Sequence, residues 1–204
     1  MPNNAGHGPE SDEITNRILD AAHKCFAAGG IRKTTMNAIA DAAGVGVATV
    51  YRRFPQKPLL VQTVLIREIT QLVDSVDAAI ADTESFEDEL LTGFVAFARE
   101  LSVRTLLRDM PDTDIVGDAV AALPDHGSPI LSLGRAYLAN LIRRWQVAGE
   151  LPADFDADLV AEIYARLAHS LAMIPEGMIP LDDPAKARHF ARRYLSPLLR
   201  PLPE

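Results

Sequence analysis

Residues 34–60 read Thr34-Thr35-Met36-Asn37-Ala38-Ile39-Ala40-Asp41-Ala42-Ala43-Gly44-Val45-Gly46-Val47-Ala48-Thr49-Val50-Tyr51-Arg52-Arg53-Phe54-Pro55-Gln56-Lys57-Pro58-Leu59-Leu60. The spacing predicts two short helices joined by a tight turn. The first starts at Thr34 or Thr35, whose hydroxyl can cap it, and turns Met36, Ile39 and Ala40 inward. Ala40 is small where two helices must cross closely. Gly44 supplies the positive φ of the turn, and Val45 fills the space between the helices. Gly46 then serves as a modest N-cap for a helix from about Val47 to Phe54. Its inner face is Val47, Val50 and Phe54, so Ala48, Thr49, Arg52 and Arg53 face outward with Tyr51 beside them. Two helices crossing steeply, the second with a small-residue start and arginines further along, make a helix-turn-helix suited to the major groove.

Working outward, Ile14, Ile18, Leu19, Ala22, Cys25 and Phe26 form one face of a preceding helix. Ser11 or Asp12 can cap it, and Gly29-Gly30 can end it. Residues 1–10, with Pro2, Gly6, Gly8 and Pro9, read as a loose tail. Beyond Pro55, Lys57-Pro58 opens a long helix whose stripe is Leu65, Ile69, Leu72, Val76 and Ile80. Further helices are expected over 86–107, 112–123, 129–148, 156–174 and 184–199, separated by proline- and glycine-bearing breaks. No stretch alternates with period two. The fold class is all-α with about nine helices, divided into a tail (1–10), a helix-turn-helix domain (11–57) and a second helical domain (58–204).

Charge divides the same way. The 204 residues carry 28 acids and 20 bases, for a net charge of −8. Residues 17–57, however, hold seven bases against two acids, and residues 58–204 hold thirteen against twenty-three. A basic module on an acidic body is what a chain shows when only one part meets phosphates. With one cysteine, Cys25, no intramolecular disulfide is possible, and its place on a periodic face predicts a buried, inert thiol. No apolar run is long enough to cross a membrane and no secretory h-region opens the chain, so a cytoplasmic location is the default expectation.

The segment from about Ile14 to Leu60 resembles the DNA-binding domain of the TetR family of transcriptional regulators. The resemblance rests on Thr34 to Val45, Thr49 to Phe54, and Lys57 with Leu59-Leu60. It implies a homodimer that binds a palindromic operator on double-stranded DNA, usually as a repressor, and lets go when a small molecule enters the C-terminal domain. By position, Thr35 corresponds to a cap and backbone contact, Tyr51 to a tyrosine reaching a phosphate, and Lys57 to a lysine sharing a phosphate with free N–H groups at a helix start. Thr49 and Arg53 stand one turn apart as first choices for base edges, Arg52 is suited to bases or phosphates, and Ala48 permits close approach. Three positions depart from the pattern: Gly46 replaces Ser or Thr, Arg53 stands where His is frequent, and Pro58 stands where Glu is typical.

The acidic part carries no signature of its own. Phe94, Phe97, Leu101, Leu106, Met110, Leu131, Tyr137, Leu141 and Trp145 are spaced to line an interior, either as ordinary core or as a pocket for an apolar or amphipathic effector. Arg104, Asn140 and His169 are the polar residues placed to orient such a ligand. The last two helices resemble the family's dimerisation pair, with stripes Leu159, Ile163, Leu167, Leu171 and Phe190, Tyr194, Leu198. The histidines have no zinc-protease spacing, and neither a glycine-rich phosphate loop nor a serine elbow occurs, so the reading is of a non-enzyme without cofactor or metal. Acidic runs such as Glu87-Asp88-Glu89 fall at helix starts and read as solvated. An activator, a regulator controlled by a partner protein, and a helical small-molecule carrier stand as alternatives to the repressor.

Overall fold

Proline's fixed φ suits the first turn of a helix, and α1 (Pro9–Gly29) begins on one. It therefore takes in the last two residues of the expected tail, and Ser11 and Asp12 lie inside its first turn rather than ahead of it. The computed structural model describes residues 9–104, 106 and 129–199. The other helices of the N-terminal unit are α2 (Met36–Ala43), α3 (Val47–Arg53) and the first turns of α4 (Lys57–Ile80). Gly30, at φ 76°, ends α1 by donating its N–H to the Phe26 carbonyl at 2.9 Å. The buried Thr34 hydroxyl lies within hydrogen-bond reach of the carbonyls of Cys25 (3.1 Å) and Gly30 (2.9 Å), satisfying acceptors that the helix end would leave open. Ile18, Phe26, Ile39, Val50, Leu60 and Val61 meet in the core of this unit. Cys25 is half-buried, less enclosed than its place on the stripe predicts.

Residues 9–67 cluster as one compact unit, and 68–104 with 129–199 as a second. The second contains the rest of α4, α5 (Phe86–Val103), α6 (Pro129–Val147), α7 (Ala157–Met173) and α8 (Pro184–Phe190), the last continuing through a π turn (Ala191–Leu195) and a 3-10 turn (Ser196–Leu199). Side chains cap three of these helices: Ser85 accepts from the Asp88 N–H, Asp156 from Leu159, and Asp183 from Ala185 and Lys186. Helices α6 and α7 pack through small residues, with Ala139, Ala157, Ala161 and Ala165 all buried, which lets the two backbones approach closely. Among the described residues every regular element is helical and none is long and apolar enough to cross a membrane.

A further expected boundary changes. Helix α5 stops at Val103, because Arg104 leaves helical geometry at φ −93°, ψ 77°, where its side chain turns to other partners. The helix expected over 112–123 lies outside the described residues. The acidic run at the start of α5 is half-buried and paired. Arg188 pairs with Asp88, and Glu89 accepts from both Arg144 (2.6 Å) and the Trp145 indole (2.7 Å).

Candidate nucleic-acid interface

The turn between α2 and α3 is built from its glycine outward. Gly44 adopts φ 63°, ψ 39°, its N–H reaches the Asp41 carbonyl at 3.2 Å, and the Val45 N–H reaches the Ala40 carbonyl at 3.0 Å. This pair of bonds is a Schellman closure, which needs a left-handed residue in the middle. Thr35 caps the other end of α2, accepting from the Ala38 N–H at 3.1 Å. Sequence reasoning missed the residue that locks this turn. Arg17, on α1, donates to the carbonyls of Ala43 (2.7 Å) and Gly44 (3.2 Å). A cation at a helix C-terminus also complements the helix dipole. With the partner 26 residues away, nothing local in the sequence announces the contact.

Helix α3 fixes itself inward through Val50, fully buried, and Phe54 just beyond its end. Its outer face presents Ala48, Tyr51 at 48 % exposure and Arg52, with Thr49 half-exposed between them. Two residues differ from expectation. Val47, assigned to the inner face, is 39 % exposed, because it opens the helix on the side away from the core. Arg53, assigned to the outer face, is half-buried, and its Nη1 donates to the Thr15 hydroxyl of α1 at 2.6 Å. Arg52 is the arginine that faces out, within 3.5 Å of the Thr49 hydroxyl. Lys57 opens α4 and donates to the carbonyl of Arg32 at 3.3 Å, and partial burial lowers its pKa from the ordinary lysine value. The structure thus places Thr35, Ala48, Thr49, Tyr51, Arg52 and Lys57 within one small unit, with no acidic side chain in α3.

Residues 18–64 match the family profile of bacterial regulatory proteins, tetR family. Over 163 residues, 79 % of this chain and 76 % of its relative, the sequence is 26 % identical to the HTH-type transcriptional regulator AlkX of Mycobacterium tuberculosis. Over 76 residues, 37 % of this chain and 34 % of the other, it is 38 % identical to the HTH-type transcriptional repressor KstR of the same organism. The N-terminal segment is thus that of a TetR-family DNA-binding domain. The chain's fold is also that of the crystal structure of a TetR family repressor AlkX from a Dietzia species, described as implicated in biodegradation of n-alkanes. That likeness has a TM-score of 0.63 at 21 % identity and covers 95 % of this chain and 98 % of the other. With that domain the chain is a helix-turn-helix DNA-binding transcriptional regulator.

In the second unit, most residues expected to face a ligand have partners within the unit. Phe94, Leu101, Leu106, Leu141 and Trp145 are buried and Phe97 is half-buried, with the Phe94 and Phe97 rings 6.4 Å apart. Arg104 donates to Glu100 (2.9 Å), the buried Glu68 (3.3 Å) and Gln71 (3.2 Å). The Tyr137 hydroxyl donates to Asp77 at 2.7 Å, and burial together with that carboxylate pushes its pKa well above the ordinary phenol range. Leu131 is half-buried, as is His169, which burial and the nearby Arg166 hold below the usual imidazole value, and Asn140 is exposed. Met110 lies outside the described residues.

The expected dimer stripes divide. Leu159 and Ile163 are 58 % and 45 % exposed, Tyr194 and Leu198 are 61 % and 42 %, while Leu167 and Phe190 are half-buried and Leu171 is buried. A four-residue step overshoots the 3.6-residue turn by about 40°, so the α7 stripe winds from the outside at Leu159 to the inside at Leu171. An open groove of about 450 Å³ lies against Met178, Pro180, Phe190 and Tyr194.

Proposed function

We propose that this regulator is a homodimeric repressor that sets α3 of each protomer into successive major grooves of a palindromic operator and is released by a small apolar or amphipathic effector bound in the second unit. The observation that supports operator docking best is the outward face of α3, where Ala48, Thr49, Tyr51 and Arg52 stand clear on a turn clamped by Arg17. Thr49 and Arg52 read base edges, Tyr51 and Lys57 hold phosphates, and Thr35 meets the backbone at the start of α2. The exposed apolar residues of α7 and the C-terminal segment support self-association as a four-helix bundle across a two-fold axis. An apolar effector is in keeping with the aromatic interior around Phe94 and with the n-alkane connection described for the Dietzia repressor. Action on chromosomal DNA places the protein in the cytoplasm.

The test is a mobility-shift titration at fixed, near-physiological salt, with DNA from just upstream of the protein's own gene and unrelated DNA as competitor. A competitor-resistant shift supports the reading, and complexes that unrelated DNA abolishes count against it. Two variants separate reading from anchoring. Arg52→Ala is expected to cost about 1–3 kcal/mol of discrimination at the base pairs it touches. Lys57→Ala is expected to weaken all DNA alike and to reduce the slope of log affinity against log salt by about one. The phosphate assignment of Lys57 fails if the slope stays unchanged.

A further inference from the structure

We propose that Arg53 is a positioning residue for the reading helix: its hydrogen bond to Thr15 pins the end of α3 to α1, and this bond sets how sharply the protein distinguishes its operator from other DNA. The inference rests on the operator-docking reading above. Helix α3 has only seven residues, Val50 is its one buried side chain, and its Gly46 cap contributes no side-chain bond. Val50 and the buried Phe54 define a line, and two anchors leave a short helix free to roll about the line joining them. Two contacts that resist that roll come from α1. Arg17 holds the carbonyls ahead of α3, and Thr15 holds the arginine at its far end at 2.6 Å.

The consequence reaches the groove through geometry. Hydrogen bonds to base edges lose their strength within a few tenths of an ångström beyond about 3.2 Å. A small roll of α3 carries Thr49 and Arg52 out of that range while leaving phosphate contacts on long side chains satisfied. Arg53 itself is directed into its own domain, and a guanidinium already donating to a hydroxyl has a bond to break before it can turn to a base. Loss of the Thr15–Arg53 bond therefore degrades discrimination more than total affinity.

The experiment uses the full chain and an operator fragment recovered by the wild-type protein from random-sequence DNA, with scrambled DNA as reference. Thr15→Val and Arg53→Met are each expected to lower the operator-to-scrambled affinity ratio about tenfold, the worth of one charge-assisted hydrogen bond. The double variant is expected to be no worse than either single, since both remove the same interaction. Thr15→Ser, which keeps the hydroxyl, is expected to restore the ratio, and the salt slope is expected to hold throughout because no phosphate contact is lost. Measurement well below each variant's melting temperature keeps a simple loss of stability out of the ratio. Additive losses, or a Thr15→Val protein that discriminates as well as wild type, would show that Arg53 reads bases on its own account. Tighter operator binding by Thr15→Val would show that DNA recruits Arg53 away from α1, and a salt slope reduced by Arg53→Met would make it a phosphate contact; either overturns the proposal. A wild-type protein that selects no operator from the random pool overturns the docking reading as well.

Discussion

Substituting Leu159 and Ile163 together with aspartate is expected to leave the protein folded, monomeric and nearly inert toward its operator. Both side chains are largely exposed in the protomer, so charging them removes little intramolecular packing and the helical content should survive. In a two-fold bundle each substitution occurs twice, because the interface is isologous. Four new carboxylates would then face an apolar surface, and a buried unpaired charge costs several kcal/mol. The effect on DNA is larger than the loss of one half-site. A dimer delivers its second reading helix at an effective concentration set by the protein's own geometry, and linked binding of this kind gains 10²–10⁴-fold, roughly, over a single module. Sedimentation at micromolar concentration should therefore report the 22.2 kDa monomer mass, and operator affinity should fall by about two orders of magnitude or more. A charged variant that still sediments as a dimer with full operator affinity would put the interface elsewhere on the chain.

How much of this was legible in the sequence depended on how far apart the interacting residues lie. The α2–α3 turn was readable because its caps and inner faces are local: a threonine cap, a glycine at the left-handed position, and apolar residues at helical spacing; only the Arg17 clamp comes from afar. Arg53 was read as outward together with Arg52, although the two differ by one residue step, about 100° around the helix. Which of them turns inward is decided by Thr15, 38 residues earlier. The same distance effect governs the second unit. Tyr137 and Trp145 were read as lining residues of an apolar interior, but Asp77 and Glu89, 60 and 56 residues away, take up their donors. The acidic start of α5 has the sequence of a solvated helix cap, and only the approach of Arg144, Arg188 and Trp145 makes it a set of structural acceptors. Periodicity located the helices well, whereas the identity of each buried polar partner was fixed by chain topology that periodicity does not encode.

Gly44→Ala is expected to destabilise the N-terminal unit by about 2–4 kcal/mol and to weaken operator binding with it. The left-handed conformation at φ 63° costs an L-residue about 1–2 kcal/mol. A Cβ built there would also lie 3.1 Å from Nη2 of Arg17, the atom that donates to the carbonyls of Ala43 and Gly44. That guanidinium must move by a few tenths of an ångström, which stretches the short bond to Ala43 and loosens the clamp on the turn. Since a hydrogen bond from a charged donor contributes roughly 1.5–3 kcal/mol, and this one is partly exposed, about 1–2 kcal/mol is the expected share. Urea denaturation followed by circular dichroism measures the total as a fall in midpoint at unchanged slope. Two companions separate the causes. Arg17→Ala removes the clamp without straining the backbone, and together with Gly44→Ala it should cost less than the sum of the singles, because both lose the same contact. Gly44→Asn keeps a side chain beside Arg17 but tolerates the left-handed region, so it should recover the strain component alone. If Gly44→Ala shifts stability by less than about 0.5 kcal/mol, the turn is not held in the left-handed state that the helix-turn-helix requires, and the placement of α3 against α2 would have to be reconsidered.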